Sequence, residues 1–231
     1  MPDGSSTDVE DSVDFRLNGN PEYGVVTVRL EPDETFLGES GAMSYMAPGT
    51  EVKARLLGGF LKAAVRKLVA GESLLAGEYS HTSGGKISLS PSLPGAVVHH
   101  KLAGDELTLT KGTFLACSPD IQLSTQFGGV RSFFSGEGAF VMKASGHGDL
   151  FFCSYGAVIE REVTDEFIVD TGHVVAWDEG LSYKVGGMGG IKSTMFSGEG
   201  LTMRFSGRGR IWLQTRTLPS FSSWLFPFLR G

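Results

Sequence analysis

From Phe15 onward, short apolar stretches alternate with glycine, aspartate, asparagine and proline at the spacing of many short strands. The clearest are 25–30, 106–110, 167–169 and 181–185. In the last, Leu181, Tyr183 and Val185 alternate with Ser182 and Lys184, a period of two that turns one face inward. The helical period is well developed once, in FLKAAVRKLVA at 60–70. There Phe60, Leu61, Ala64, Val65, Leu68 and Val69 form one stripe, and Lys62, Arg66 and Lys67 lie opposite it. This predicts one short, basic, amphipathic helix inserted among strands, with Arg66 and Lys67 toward the end that the helix dipole favours for cations. About eleven residues is too short to hold a helix alone, so it must dock on the body, a partner or a lipid surface. Residues 1–14 carry five acids, no base and almost nothing apolar, which predicts a disordered acidic tail.

The pattern repeats. Phe134-Ser135-Gly136-Glu137-Gly138 returns 62 positions later as Phe196-Ser197-Gly198-Glu199-Gly200, and Ser145-Gly146-His147-Gly148 returns 61 positions later as Ser206-Gly207-Arg208-Gly209. A weaker upstream copy places Gly71-Glu72 and Ser83-Gly84-Gly85 at matching points, and each copy opens alike at Gly41, Gly112 and Gly172. The reading is three pseudo-repeats, about 41–98, 112–156 and 172–217, followed by an aromatic C-terminal tail at 218–231. A lone unit would expose a sheet face, so the three are expected to share one core in a single all-β domain over 15–231.

Composition narrows the function classes. Glycine, at 33 of 231 residues, is about double its usual frequency, in keeping with many tight turns. Two cysteines exclude a disulfide framework, no charge-free apolar run is long enough for a membrane span, and the acidic N-terminus is unlike a signal or transit peptide. The expectation is a cytoplasmic protein. Twenty Lys and Arg against 26 Asp and Glu leave a net charge of −6, which makes nucleic acid an unfavourable partner.

The runs Ser132-Phe133-Phe134-Ser135-Gly136-Glu137-Gly138, Asp170-Thr171-Gly172-His173-Val174-Val175-Ala176, Met195-Phe196-Ser197-Gly198-Glu199-Gly200-Leu201 and Ile211-Trp212-Leu213-Gln214-Thr215-Arg216, with Ser90-Pro91-Ser92-Leu93-Pro94-Gly95 before them, resemble the family of altered inheritance of mitochondria protein 24. The resemblance covers nearly all of 15–224. It implies an all-β fold of the double-stranded β-helix type in three pseudo-repeats, similar to the tryptophan RNA-binding attenuation protein. Mitochondrial members of the family are associated with the inner membrane and its cristae, and no catalytic residues come with the resemblance.

Read from the residues, no catalytic, cofactor-binding, small-molecule or metal site is expected. Glu72, Glu137 and Glu199 occupy matching places and invite a cation-binding reading, but a glycine turn with a solvated glutamate accounts for them. His99 and His100 are adjacent, so on a strand they point to opposite faces and cannot share a metal. Cys117 and Cys153 sit among apolar neighbours, as small buried hydrophobes do. The serine-hydrolase elbow, the zincin helix and the phosphate-binding loop are all missing from the sequence.

Two features point to surfaces. Lys53, Arg55, Lys62, Arg66 and Lys67 form a local cluster of cations with no acid between them, and Phe60, Leu61, Phe221, Trp224, Phe226 and Phe228 offer apolar side chains. Five cations contribute about 5 kcal/mol at best near an anionic leaflet, so apolar insertion is needed as well. The leading expectation is a non-enzymatic, homo-oligomeric scaffold or interaction protein, peripheral to an anionic membrane surface and self-associating through sheet edges or the aromatic tail. The alternative is a small-ligand or RNA binding module, which rests on fold analogy alone.

Overall fold

The computed structural model describes residues 12–56, 75–127, 140–186 and 201–229. Six strands recur three times with the same pairing. In the first unit β2 (Val25–Leu30), β3 (Thr35–Glu39), β4 (Met43–Met46), β5 (Glu51–Leu56), β6 (Leu75–Ser80) and β7 (Gly85–Leu89) make two antiparallel half-sheets, β2-β7-β4 and β3-β6-β5. β1 (Asp14–Asn18) extends the first half-sheet beside β2.

In the second unit β8 (Val97–Thr110) and β11 (Phe140–Cys153) are each long enough to take two places, and β9 (Phe114–Cys117) and β10 (Gln122–Phe127) complete the set. The start of β8 pairs the end of β11, which also holds β9; the end of β8 pairs the start of β11, which holds β10. The third unit repeats this with β12 (Val158–Val163), β13 (Glu166–Asp170), β14 (Val174–Asp178), β15 (Leu181–Gly186), β16 (Thr202–Gly207) and β17 (Gly209–Gln214), arranged as β12-β17-β14 and β13-β16-β15. A register shift falls at one place in all three, at Met43/Tyr45, Phe151/Phe152 and Val174/Ala176. The paired units therefore begin one or two strands before the glycines that mark the sequence repeats.

Ser145-Gly146-His147-Gly148 is the point at which β11 leaves one half-sheet for the other, and the ladder shifts between Ser145 and His147. Gly146 and Gly148 both have positive φ, and a Cβ on Gly148 would stand 2.7 Å from Ser118 Cβ. The matching Gly207 and Gly209 also have positive φ. That conformational demand explains why this motif survives in two copies.

Neighbouring units join edge to edge. β3 pairs β9 through Leu37↔Cys117 and Gly38↔Ala116, and β8 pairs β14 through Thr108↔Trp177 and Leu109↔Ala176. The buried residues fall in three clusters, one centred on each unit, and that of the second also takes in Leu37 and Ala76 of the first and Trp212 of the third. Each pair of half-sheets encloses its own interior, and the joining strand is buried on both faces. Phe114 and Cys117 of β9 face the second unit while Leu115 and Ala116 face the first; Val174 and Trp177 of β14 face the third while Val175 and Ala176 face the second. A strand without a polar face follows from that double burial.

The C-terminal run, expected as a tail, is α1 (Leu218–Leu229). Thr217 is buried and its hydroxyl accepts the Ser220 N–H at 3.3 Å, an N-cap bond. Pro219 sits in the first turn, where its missing N–H costs little, and Pro227 falls in the last turn. Of the expected N-terminal tail, Ser12 and Val13 are instead tied to the body and Asp14 starts β1; residues 1–11 lie outside the described residues. The predicted helix at 60–70 lies outside the described residues.

Candidate functional surfaces

α1 leaves the body beside β17 and carries no charged residue. Phe221 packs edge-on against Tyr155, with ring centroids 6.1 Å apart, and anchors the first turn. Phe221, Trp224 and Phe228 then form a continuous aromatic ladder at spacings of three and four residues, with centroid separations of 5.9 and 5.5 Å. Most of this surface is open to water: Trp224 is 63% exposed, Phe228 72% and Leu229 69%, and Phe226 is exposed as well. Large apolar side chains concentrated on one uncharged helix are the kind of patch that marks an interaction surface.

Of the expected basic cluster, two members lie among the described residues. Lys53 and Arg55 lie on β5, but Lys53 Nζ is 3.7 Å from Glu51 and Arg55 is 3.2 Å from Glu78 on the paired strand β6. Glu51 lies two residues before Lys53 on the same strand and strand pairing brings up Glu78, so these two cations sit in exposed ion pairs rather than in a free patch. Phe60, Leu61, Lys62, Arg66 and Lys67 lie outside the described residues, as do Glu72, Glu137 and Glu199.

A polar cluster that the sequence reading missed lies where β1, β8 and β11 meet. Asp149 is fully buried, and its carboxylate accepts from His99 Nε2 at 2.6 Å, the Val13 N–H at 2.9 Å and the Ser12 hydroxyl at 3.2 Å. Burial pushes the Asp149 carboxyl up, yet the bonds from His99, Val13 and Ser12 hold it below its ordinary value. Phe15 stacks over this pair, with its ring 4.4 Å from His99 and 4.9 Å from Phe151. The cluster clamps the start of the chain onto the second unit, and among its members no hydroxyl is bonded to the imidazole, so it lacks the geometry of an activated nucleophile. His100 faces the other way, edge-on to Trp212 at 5.6 Å, with Nε2 unpartnered among the described residues, and desolvation together with nearby Arg210 lowers its pKa.

Cys117 and Cys153 are buried, and desolvation pushes both thiols up, Cys153 to about 12. Among the described residues no group of three or more His, Cys, Asp or Glu is placed to hold a metal ion. No described helix is long and apolar enough to cross a membrane.

The profile of the family described as Mitochondrial biogenesis AIM24 matches residues 15–216. An uncharacterised protein of Streptococcus pyogenes serotype M6 is 28% identical over 232 residues, covering 96% of this chain and 93% of the relative. An X-ray structure of a Streptococcus pyogenes protein, solved by a structural genomics consortium, superposes with a TM-score of 0.79 at 28% identity, covering 94% of this chain and 99% of that one.

Proposed function

The chain belongs to the Mitochondrial biogenesis AIM24 family, and on that premise we propose that it is a non-enzymatic scaffold, peripheral to a membrane surface, that acts through protein and lipid contacts. The observation that carries the reading is α1, which presents Trp224, Phe226, Phe228 and Leu229 to solvent without one charged neighbour on the helix. Aromatic side chains favour the water–lipid interface, and a short helix with a strong apolar face lies in that plane rather than crossing it. Moving a large apolar side chain out of water contributes about 1.5 kcal/mol or more, so four give about 6 kcal/mol against about 5 kcal/mol at best from all five cations. With Lys53 and Arg55 ion-paired, apolar insertion leads and charge assists. Each unit is read as a short double-stranded β-helix whose half-sheets form a rigid platform for α1.

Flotation with vesicles tests this. The protein is expected to rise with anionic vesicles, to stay bound when salt is raised, and to show a blue-shifted tryptophan emission. The double variant Trp224→Ser/Phe228→Ser is expected to remain at the bottom, whereas Lys62, Arg66 and Lys67→Glu weaken flotation without abolishing it. Wild-type protein that stays in the dense fraction with anionic and zwitterionic vesicles alike would overturn the proposal.

A further inference from the structure

Among the described residues, two of the strand edges that the scheme uses to join units are left unmatched. Within the chain, the second strand of each unit meets the third strand of the next unit, as β3 meets β9 and β8 meets β14. Among the described residues, no unit pairs ahead of the first or beyond the third. Accordingly, among the described residues, β4, the counterpart of β9 and β14, pairs with β7 alone, and β13, the counterpart of β3 and the end of β8, pairs with β16 alone.

Among the exposed large apolar side chains, Tyr45, Met46 and Ile168 fall on those two edges at the positions that the scheme specifies. Aligning the bulges makes Met46 the equivalent of Cys117 and Trp177, and Tyr45 the equivalent of Ala116 and Ala176. The ladders to β6, β11 and β16 make Ile168 the equivalent of Leu37 and Thr108. Each of those six equivalents is buried at a junction between units. Ile168 is instead 44% exposed, Met46 37% and Tyr45 55%, and all four residues of β4 are exposed. Soluble proteins normally shield such edges with charge, proline or a covering segment, because unpaired backbone groups recruit further strands.

We propose that the β13 edge of one copy of this chain pairs antiparallel with the β4 edge of a second copy, in the register Ile168↔Met46 and Val169↔Tyr45. This reproduces the spacing of Leu37↔Cys117 and Gly38↔Ala116, and of Thr108↔Trp177 and Leu109↔Ala176. The union joins β15-β16-β13 of one copy to β4-β7-β2-β1 of the next, so that two half-sheets become one continuous sheet like those already formed within the chain. The contact is head-to-tail, so it extends to a ring where the rotation closes and to a filament where it does not. The proposal deepens the oligomeric half of the scaffold reading, and its test contains no lipid, so either reading can fail without the other.

Cysteine pairing reads the register directly, because Cys117 and Cys153 are buried and do not compete. Met46→Cys and Ile168→Cys chains, prepared separately and then mixed under mild oxidation, are expected to give a disulfide-linked heterodimer. Met46→Cys alone and Ile168→Cys alone are expected to stay uncrosslinked, and the chain carrying both is expected to give a ladder or a closed ring on a non-reducing gel. Homodimers of either single variant would show a different pairing and overturn the proposal. So would an intrachain disulfide in the double variant, which would mean that the third unit closes on the first within one molecule. No crosslink in any sample, with circular dichroism showing intact strands, would overturn it too.

Discussion

Asp149 shows how one buried carboxylate fixes the entry of the chain. A carboxylate without solvent is tolerated only when its lone pairs are filled, and His99, Val13 and Ser12 fill them. Asp149→Asn removes the charge from bonds that include a short one to imidazole, and is expected to cost about 2 kcal/mol in urea denaturation. Two pH effects act together. His100 is lowered by burial, so the unfolded chain protonates first near pH 6.5 and stability declines below that point. The Asp149 carboxyl is lowered, so its contribution is present above the unfolded value of about 4 and is lost as pH falls through the lower folded value. Thermal unfolding from pH 8 to 3 is expected to show a shallow decline followed by a steeper one, and Asp149→Asn is expected to blunt only the second. This cluster was not legible in the sequence because its members lie at three separate places, 12–13, 99 and 149, and Asp149 follows a glycine turn that reads as solvent-facing. His147, its neighbour, is indeed exposed.

Among elements, strands were readable and α1 was not. Leu181, Tyr183 and Val185 alternate with exposed residues in β15, so period two alone placed them. The α1 segment has no charged face to contrast with its apolar one, is rich in serine and contains two prolines, so neither helical period nor propensity identified it. The usable signal was local: a threonine three residues before a serine, ahead of an aromatic run. A twelve-residue helix is marginal by itself, so the cap matters. Thr217→Ala is expected to cost about 1 kcal/mol of local stability, raising hydrogen-exchange rates of the α1 amides about five-fold while those of β17 stay unchanged.

For the whole molecule, internal repetition in the sequence anticipated a repeated architecture, but not how the repeats share their interiors. Two of the glycine-rich segments that revealed the repetition, around 136 and 198, lie outside the described residues, and the observed equivalence rests on strand pairing instead. Whether a repeat's third strand is buried depends on whether a unit precedes it. Met43-Ser44-Tyr45-Met46 and Phe114-Leu115-Ala116-Cys117 read as similar apolar strands, yet the first is exposed throughout and the second buried throughout. Sequence periodicity cannot register that difference, because it arises from a neighbour about 80 residues away in the chain. β9 and β14 show what covering this edge achieves: continuous pairing and burial on both faces.

Light scattering on the eluting protein over a hundred-fold range of concentration tests this edge-joining account most directly. The wild-type chain is expected to elute at multiples of 24.7 kDa, with Met46→Lys or Ile168→Lys reducing it to one chain. A wild-type mass of a single chain at every concentration, or an assembly that both lysine variants leave intact, would contradict it.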